Sequence, residues 1–311
     1  LGDVYKRQGY GLSLHLLQQA KEDGVDTILT CDNGIAAIDE IAWAKAQKMT
    51  VLVTDHHAVP FEEHEGRRTE KKSLADAVVN PHQQDCGYPY KELCGAGVAW
   101  NVIRVLYENY DMDKREAEDL LDFVAMATVC DVMSLTGENR ILVKEGLKRI
   151  RHTKNIGLQA LMQACNVQPE NISAYHFGYV LGPCVNATGR LDTARHALRL
   201  FETGQETEAE EIARDLVDLN QERKELTLQG VEMAKKLCEE GGYENDPVLV
   251  LFLPDVHESI AGLIAGRIRE VYNRPVFVLT RGEEGVKGSG RSTENLSLIH
   301  ISEPTRPEPI S

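Results

Sequence analysis

The sequence predicts an α/β protein, in which a parallel-sheet domain is joined by a long helix to a smaller α/β domain. Three observations predict it. Two short β-branched runs, TILTC at 27–31 and TVLVT at 50–54, flank a segment with apolar residues at helical spacing, and strand, helix, strand at that separation is a parallel βαβ unit. Residues 205–240 form a long charged helical pattern with Leu216, Leu219, Leu226 and Val231 spaced along it, the pattern of a connector between domains. Beyond it, the apolar runs PVLVLFL (247–253) and PVFVLT (275–280) flank a helical segment at 257–272, which gives a second α/β unit.

The elements follow in order. GLSLHLLQQAK (11–21) is a helix closed by Asp23-Gly24, and residues 35–48 form the crossover helix with Ile38, Ile41, Ala42 and Ala46 on one face. AVV (77–79) is a third strand, ended by Asn80-Pro81, and residues 81–94 form a polar loop rich in Pro and Gly. Helices are expected at 98–110 and 114–130, the second with Leu120, Leu121, Val124 and Ala127 facing a core, then at 139–150, 157–165 and 192–202. The first domain therefore spans 9–204, the connector 205–242 and the second domain 243–296. Residues 1–8 (LGDVYKRQ) and 297–311 (SLIHISEPTRPEPIS) fit no pattern continuous with their neighbours. They read as foreign segments outside the fold, which would leave the second domain truncated.

Composition narrows the function classes. The 311 residues are 42% hydrophobic and 27% charged, an ordinary globular balance that excludes disordered, collagenous and disulfide-scaffold classes. No apolar run approaches the roughly 20 residues of a membrane-spanning helix, so no membrane partner is expected. Lys plus Arg at 34 against Asp plus Glu at 49 gives a formal charge of −15, which argues against a generic nucleic-acid-coating protein. It leaves room for a nucleic-acid enzyme whose carboxylates hold divalent cations. Seven scattered cysteines without a C-x-x-C pair fit reduced thiols and a cytoplasmic location.

In an open parallel sheet the functional crevice lies past the carboxyl ends of the strands. Asp32 follows the first strand, and Asp55, His56 and His57 follow the second, so two neighbouring strands deliver carboxylates and imidazoles to one edge. Oxygens with an imidazole nitrogen suit Mn²⁺ or Mg²⁺ better than zinc. Taken singly, Asp32-Asn33-Gly34 reads equally as a turn or helix cap, and Asp55-His56-His57 as a polar strand end. Asp131, in ATVCDVMSL, ends an apolar helix and reads equally as a C-terminal turn.

Three stretches, ILTCDNGI, VLVTDHH and ATVCDVMSL, taken in this order, resemble three of the four metal-binding motifs of the DHH phosphoesterase superfamily. VVNPHQQDCGYPYKELCGAGVAW, GPCVNATGRLD and GSGRS resemble those of the RecJ-type single-strand-specific exonucleases, and the likeness runs from about Gly9 to Thr293. The resemblance implies metal ligation by Asp32, Asp55, His56 and Asp131, with Asp55 bridging or ligating two ions and His57 lying beside the scissile phosphate as donor or proton carrier. It implies a metal-dependent 5′-to-3′ exonuclease on single-stranded DNA in repair and recombination. It also implies two Mn²⁺ or Mg²⁺ ions in the full-length enzyme, a monomer, and single-strand-binding proteins or helicases as partners.

Asn186, Gly189 and Arg190 in NATGR suit phosphate or nucleotide contact, against the plainer reading of a turn that starts a helix. Ser289, Gly290 and Arg291 lie in a Gly-rich loop to which the resemblance assigns the grip on a 5′ phosphate; a flexible hairpin is the plainer reading. Gly262 and Gly266 in HESIAGLIAGRI read as packing positions, with His257 a residue of the cleft. The family's first motif, D-x-D-x-D, belongs a few dozen residues before GYGLS, and Asp3 is no part of it. The chain is thus expected to lack up to two ligating carboxylates and to bind metal weakly or singly. Competing readings are a phosphodiesterase for short oligonucleotides or cyclic dinucleotides, whose G-G-G-H type loop is here GSGRS, and a non-catalytic strand-binding scaffold.

Overall fold

The computed structural model describes residues 11–64, 67–191, 194–243, 246–282 and 285–293; both expected foreign segments lie outside them. Two compact units divide the chain at Val217/Asp218. In the first, α1 (Leu14–Glu22) starts at Ser13, whose hydroxyl accepts from the Leu16 amide, and leads into β1 (Thr27–Cys31). The crossover helix α2 (Ile38–Ala46) then delivers β2 (Thr50–Thr54). A hairpin of β3 (Phe61–His64) and β4 (Arg67–Glu70) intervenes before β5 (Ala77–Val79). β1, β2 and β5 form a parallel sheet in that order, with Cys31 opposite Thr54 and Thr54 opposite Val79. All three strands therefore end at one edge. Beneath the sheet, Leu17, Ile41, Ala44, Val51 and Val53 form a closed apolar core.

Helices complete this unit: α3 (Gly95–Asn109), α4 (Lys114–Asp119), α5 (Leu121–Cys130), α6 (Gly137–Arg149) and α7 (Ile156–Ala164). The single helix expected at 114–130 is broken. Trp100 Nε1 donates to the Ala117 carbonyl at 2.7 Å, the acceptor that the Leu121 N–H would use if the helix ran on. A further unexpected run follows: a short α8 (Ala174–His176), a π turn (Phe177–Leu181) and α9 (Gly182–Leu191). Pro183 has no N–H for the Tyr179 carbonyl, and the Gly182 N–H instead reaches back five residues to Phe177. NATGR consequently lies within a helix rather than in a turn before one. α10 (Ala194–Glu202) and the first part of α11 (Glu206–Gly241) close the unit.

The second unit has its own core, in which Val231, Ala234 and Cys238 of α11 pack with Leu249, Leu251, Ile264 and Val278. Its sheet pairs β6 (Leu249–Phe252) parallel to β7 (Val276–Gly282), with α12 (Glu258–Tyr272) between them in the chain. β8 (Gly285–Arg291) runs antiparallel to β7. GSGRS was expected as a loop, and most of it is this strand. Gly288 sits so close to β7 that a Cβ there would lie 2.6 Å from the Val278 carbonyl oxygen, so this close strand approach requires glycine. Among the described residues no helix is long and apolar enough to cross a membrane.

Candidate metal centre

The three strand ends and the end of α5 converge. His56 is 9% exposed, and its Nε2 lies 3.0 Å from Asp32 Oδ1 and 3.3 Å from Asp131 Oδ2. Neither oxygen is angled for a hydrogen bond, so Nε2 is buried without a hydrogen-bond partner among the described residues. Asp32, His56 and His57 each offer a ligand atom within 4.8 Å of the others. Two carboxylates and a bare imidazole nitrogen aimed at one another make a poor hydrogen-bond network. They make a good cage for a hard divalent cation.

Each ligand is held by its own local device. Asp32 takes a left-handed backbone, φ 63°, which Asp tolerates, and its side chain lies over the first residue of α3. A Cβ on Gly95 would come within 2.3 Å of Asp32 Oδ1, so only glycine leaves that place free. Asp131 is the residue that ends α5, and Val132 after it is also left-handed, φ 56°, although β-branched and 88% exposed. That strained corner turns the chain at the carboxylate.

Asp55 stands behind the cluster and is 1% exposed. Its Oδ2 accepts from the Ile35 amide at 2.9 Å, while Oδ1 accepts from the amides of His56 (2.7 Å) and His57 (3.1 Å) and lies 2.7 Å from His57 Nδ1. The expectation that Asp55 ligates or bridges ions meets this geometry badly, because its best-placed oxygen is already crowded with donors. Asp55 instead sets His57: with Nδ1–H donated to the carboxylate, Nε2 remains as the basic nitrogen.

Electrostatics fit these roles. Burial pushes the Asp55 carboxyl up, but the Ile35, His57 and His56 donors outweigh it and hold it below the usual range. The Asp32 carboxylate 3.0 Å away, opposed by burial and aided by the charges of Asp131 and Asp55, raises the His56 imidazole. Burial, and then the charge of Asp32 against the pull of His56, raises the Asp131 carboxyl. Burial also pushes the neighbouring Cys130 thiol up to about 11, so it stays S–H at neutral pH and offers no thiolate to a soft metal. Asp32 and Asp131 are themselves half-exposed, so the two outer carboxylates do not bear the full cost of burial.

Two supporting residues escaped the sequence reading. Asn80 donates from Nδ2 to the His57 carbonyl (2.9 Å) and accepts at Oδ1 from the His82 amide (2.8 Å). It follows the third parallel strand, so the strand-end rule that found Asp32 and Asp55 would have found it too. Nothing in the sequence pattern marks Gly95 as the bed of Asp32.

The remaining expected residues form separate groups. Asn186 is exposed on α9; Gly189 and Arg190 lie on the same helix, their side chains outside the described residues. Ser289 and Arg291 share one face of β8 in the second unit, with Gly290 between them pointing the other way. A Cβ on Gly262 of α12 would stand 2.9 Å from Ser289 Oγ and 3.1 Å from Arg291 Nη2, which gives the small residue there a reason. His257 caps α12, and its ring accepts from the Ser259 amide.

Comparison with known proteins gives a consistent set of relatives. The model of the DHH family, N-terminal domain, matches residues 3–128. The single-stranded-DNA-specific exonuclease RecJ of Haemophilus influenzae is 37% identical over 309 residues, 95% of this chain and 52% of that protein. RecJ of Escherichia coli is 35% identical, over 93% of this chain and 51% of its own length. The chain thus spans about half the length of the curated relatives it matches. A crystal structure of exonuclease RecJ bound to manganese is 32% identical, with a TM-score of 0.77 over 94% of this chain and 70% of that one. RecJ of Thermus thermophilus in complex with Mn²⁺ is 31% identical, with a TM-score of 0.75 over 92% of this chain and 40% of that one.

Proposed function

This chain belongs to the DHH family, among its RecJ exonucleases, and from that premise we propose that the whole protein is a metal-dependent 5′-to-3′ exonuclease of single-stranded DNA. The observation that carries the reading is the buried His56 Nε2 with two carboxylate oxygens at 3.0 and 3.3 Å and no hydrogen bond to either. Asp32, His56 and Asp131 would hold Mn²⁺ or Mg²⁺, as the manganese-bound relatives support. Bound there, the ion supplies charge neutralisation at the phosphodiester and acidifies water.

The chain's own residues do the rest. Asp55, anchored by three backbone amides, holds the His57 ring through Nδ1, so that Nε2 takes up or returns a proton at the phosphate. Arg190 and Asn186 would meet the strand, and Ser289 and Arg291, with Gly290 between them, would bind its 5′ phosphate through a guanidinium fork and hydroxyl. Residues 9–204 would form the catalytic domain, 205–242 the connector and 243–296 the second domain of a cytoplasmic monomer that works beside single-strand-binding proteins or helicases.

The test is hydrolysis of 5′-phosphorylated single-stranded DNA with Mn²⁺ by the full-length gene product. His56→Ala and Asp55→Ala should each abolish activity while the fold persists by circular dichroism, and unchanged activity in either refutes the assignment. Arg291→Ala should raise KM for 5′-phosphate ends, and equal kinetics on 5′-hydroxyl and 5′-phosphate ends would remove that role.

A further inference from the structure

Beside the metal centre, a cavity of about 420 Å³ opens between the end of β5 and the first turns of α3. Both walls carry residues next to ones that hold the centre. Asn80 lines it and donates to the His57 carbonyl. Leu93 and Val98, 2% and 3% exposed, line it on either side of the Gly95 turn that receives Asp32. Its volume is that of a small-molecule site.

The lining says what would fit. Its surface is largely apolar, and among the lining residues the only charge is Asp85, with no Lys or Arg, so it suits an uncharged flat group and repels a phosphate. Tyr88 is half-exposed at the wall, its hydroxyl donating to both oxygens of Glu138 (2.8 and 3.0 Å), which tethers the ring there. Gln83 also lines the cavity; its Oε1 is closed off from solvent with no hydrogen-bond partner among the described residues, so a turn of the side chain would present an uncommitted acceptor to the cavity. A buried acceptor left unpaired costs stability unless something donates to it.

We propose that this cavity holds one nucleobase of the strand whose phosphate lies at the neighbouring metal centre, with Gln83 accepting from the base's edge N–H and Tyr88 lying against its face. The inference rests on the phosphodiesterase reading of that centre. Every nucleobase carries a ring or exocyclic N–H and a π face, so the site grips bases while tolerating sequence. It also requires the base to be unpaired, because a Watson–Crick partner would occupy the same edge. Single-strand selectivity thus has a source in this unit alone.

The test measures binding of the full chain to a 5′-phosphorylated oligodeoxynucleotide by fluorescence anisotropy, with Ca²⁺ replacing Mn²⁺ to limit cutting. A series of strands carries one abasic residue at each of the first four positions. One position should weaken binding roughly tenfold and the others little. Gln83→Leu should weaken binding of the intact strand by a similar factor and bind intact and abasic strands alike. Equal affinity for the intact strand and every abasic strand, or no binding of any, overturns the proposal, and that arm needs no protein variant to fold. Asp32→Ala separates the two readings: if it and chelation leave affinity unchanged while the abasic effect persists, the metal centre fails and the base site stands.

Discussion

Gly95 does something no side chain could do in its place. The Asp32 carboxylate lies where a Cβ would be, with Oδ1 2.3 Å, Cβ 2.4 Å and Cγ 2.5 Å from that position. All three contacts are far inside van der Waals range, and Asp32 is short and already committed to a left-handed backbone. Gly95→Ala must therefore displace the carboxylate. Mn²⁺ affinity, measured by isothermal titration, should fall about 10- to 100-fold, the usual cost of misplacing a group that orients a metal ligand, with helix content unchanged. Val132 gives the opposite expectation. A β-branched residue at φ 56° is strained by roughly 1–2 kcal/mol, and at 88% exposure it buries nothing in return. Val132→Asn should raise thermal stability by about 1 kcal/mol with Mn²⁺ affinity unchanged, and a drop in affinity would mean that the side chain itself shapes the Asp131 corner.

The helix α5 buries a second acid on its way to Asp131. Asp122 is 4% exposed, and its Oδ1 has no hydrogen-bond partner among the described residues. Burial raises its carboxyl first and Asp119 adds to this, against the pull of Thr153 and Arg149. A folded-state value above the unfolded one means the native state binds more protons in the window between them. Stability from this group is thus full below the ordinary Asp value of about 3.9 and falls as pH rises through the raised one. Asp122→Asn removes the charge at nearly constant shape. It should raise the melting temperature near pH 7, on the order of 1 kcal/mol, and the gain should vanish below about pH 4. At this scale the sequence is legible where one rule governs. The strands 27–31, 50–54 and 77–79 follow from β-branched runs bounded by turn residues, and their parallel pairing puts Asp32 and Asp55–His57 on one edge. What stayed hidden depends on long-range partners. Trp100 breaks the helix at 114–130 from another element. The charged hairpin β3–β4 has no apolar alternation to see, and glycines read as a loop pair instead with β7. The crowding of Asp55 by donors was likewise invisible, because three of them are backbone amides.

Among the described residues the first unit holds apolar cores beneath the β1–β2–β5 sheet and between α3, α5 and α6, and the second unit holds one around β6 and α12. The contact boundary at Val217/Asp218 leaves each within its own unit. Units with independent cores unfold as separate cooperative transitions rather than one. The proposed metal ligands Asp32, His56 and Asp131 all belong to the first unit, so a cation that binds only its folded state stabilises that unit alone. At a hundred times its dissociation constant Mn²⁺ adds about 2.7 kcal/mol, which for a unit of this size moves a melting midpoint by roughly 5–10 °C. The sequence provides a selective reporter, since its two tryptophans, Trp43 and Trp100, both lie in the first unit. Tryptophan fluorescence should therefore record one transition that rises with Mn²⁺ and returns with a chelator. Far-ultraviolet circular dichroism should record that transition and a second that does not move. Asp32→Ala should leave the fluorescence transition insensitive to Mn²⁺. An equal shift of both components would mean that the ion binds both units or that the two unfold as one, and a shift surviving in Asp32→Ala would place the ion elsewhere than among these strand ends.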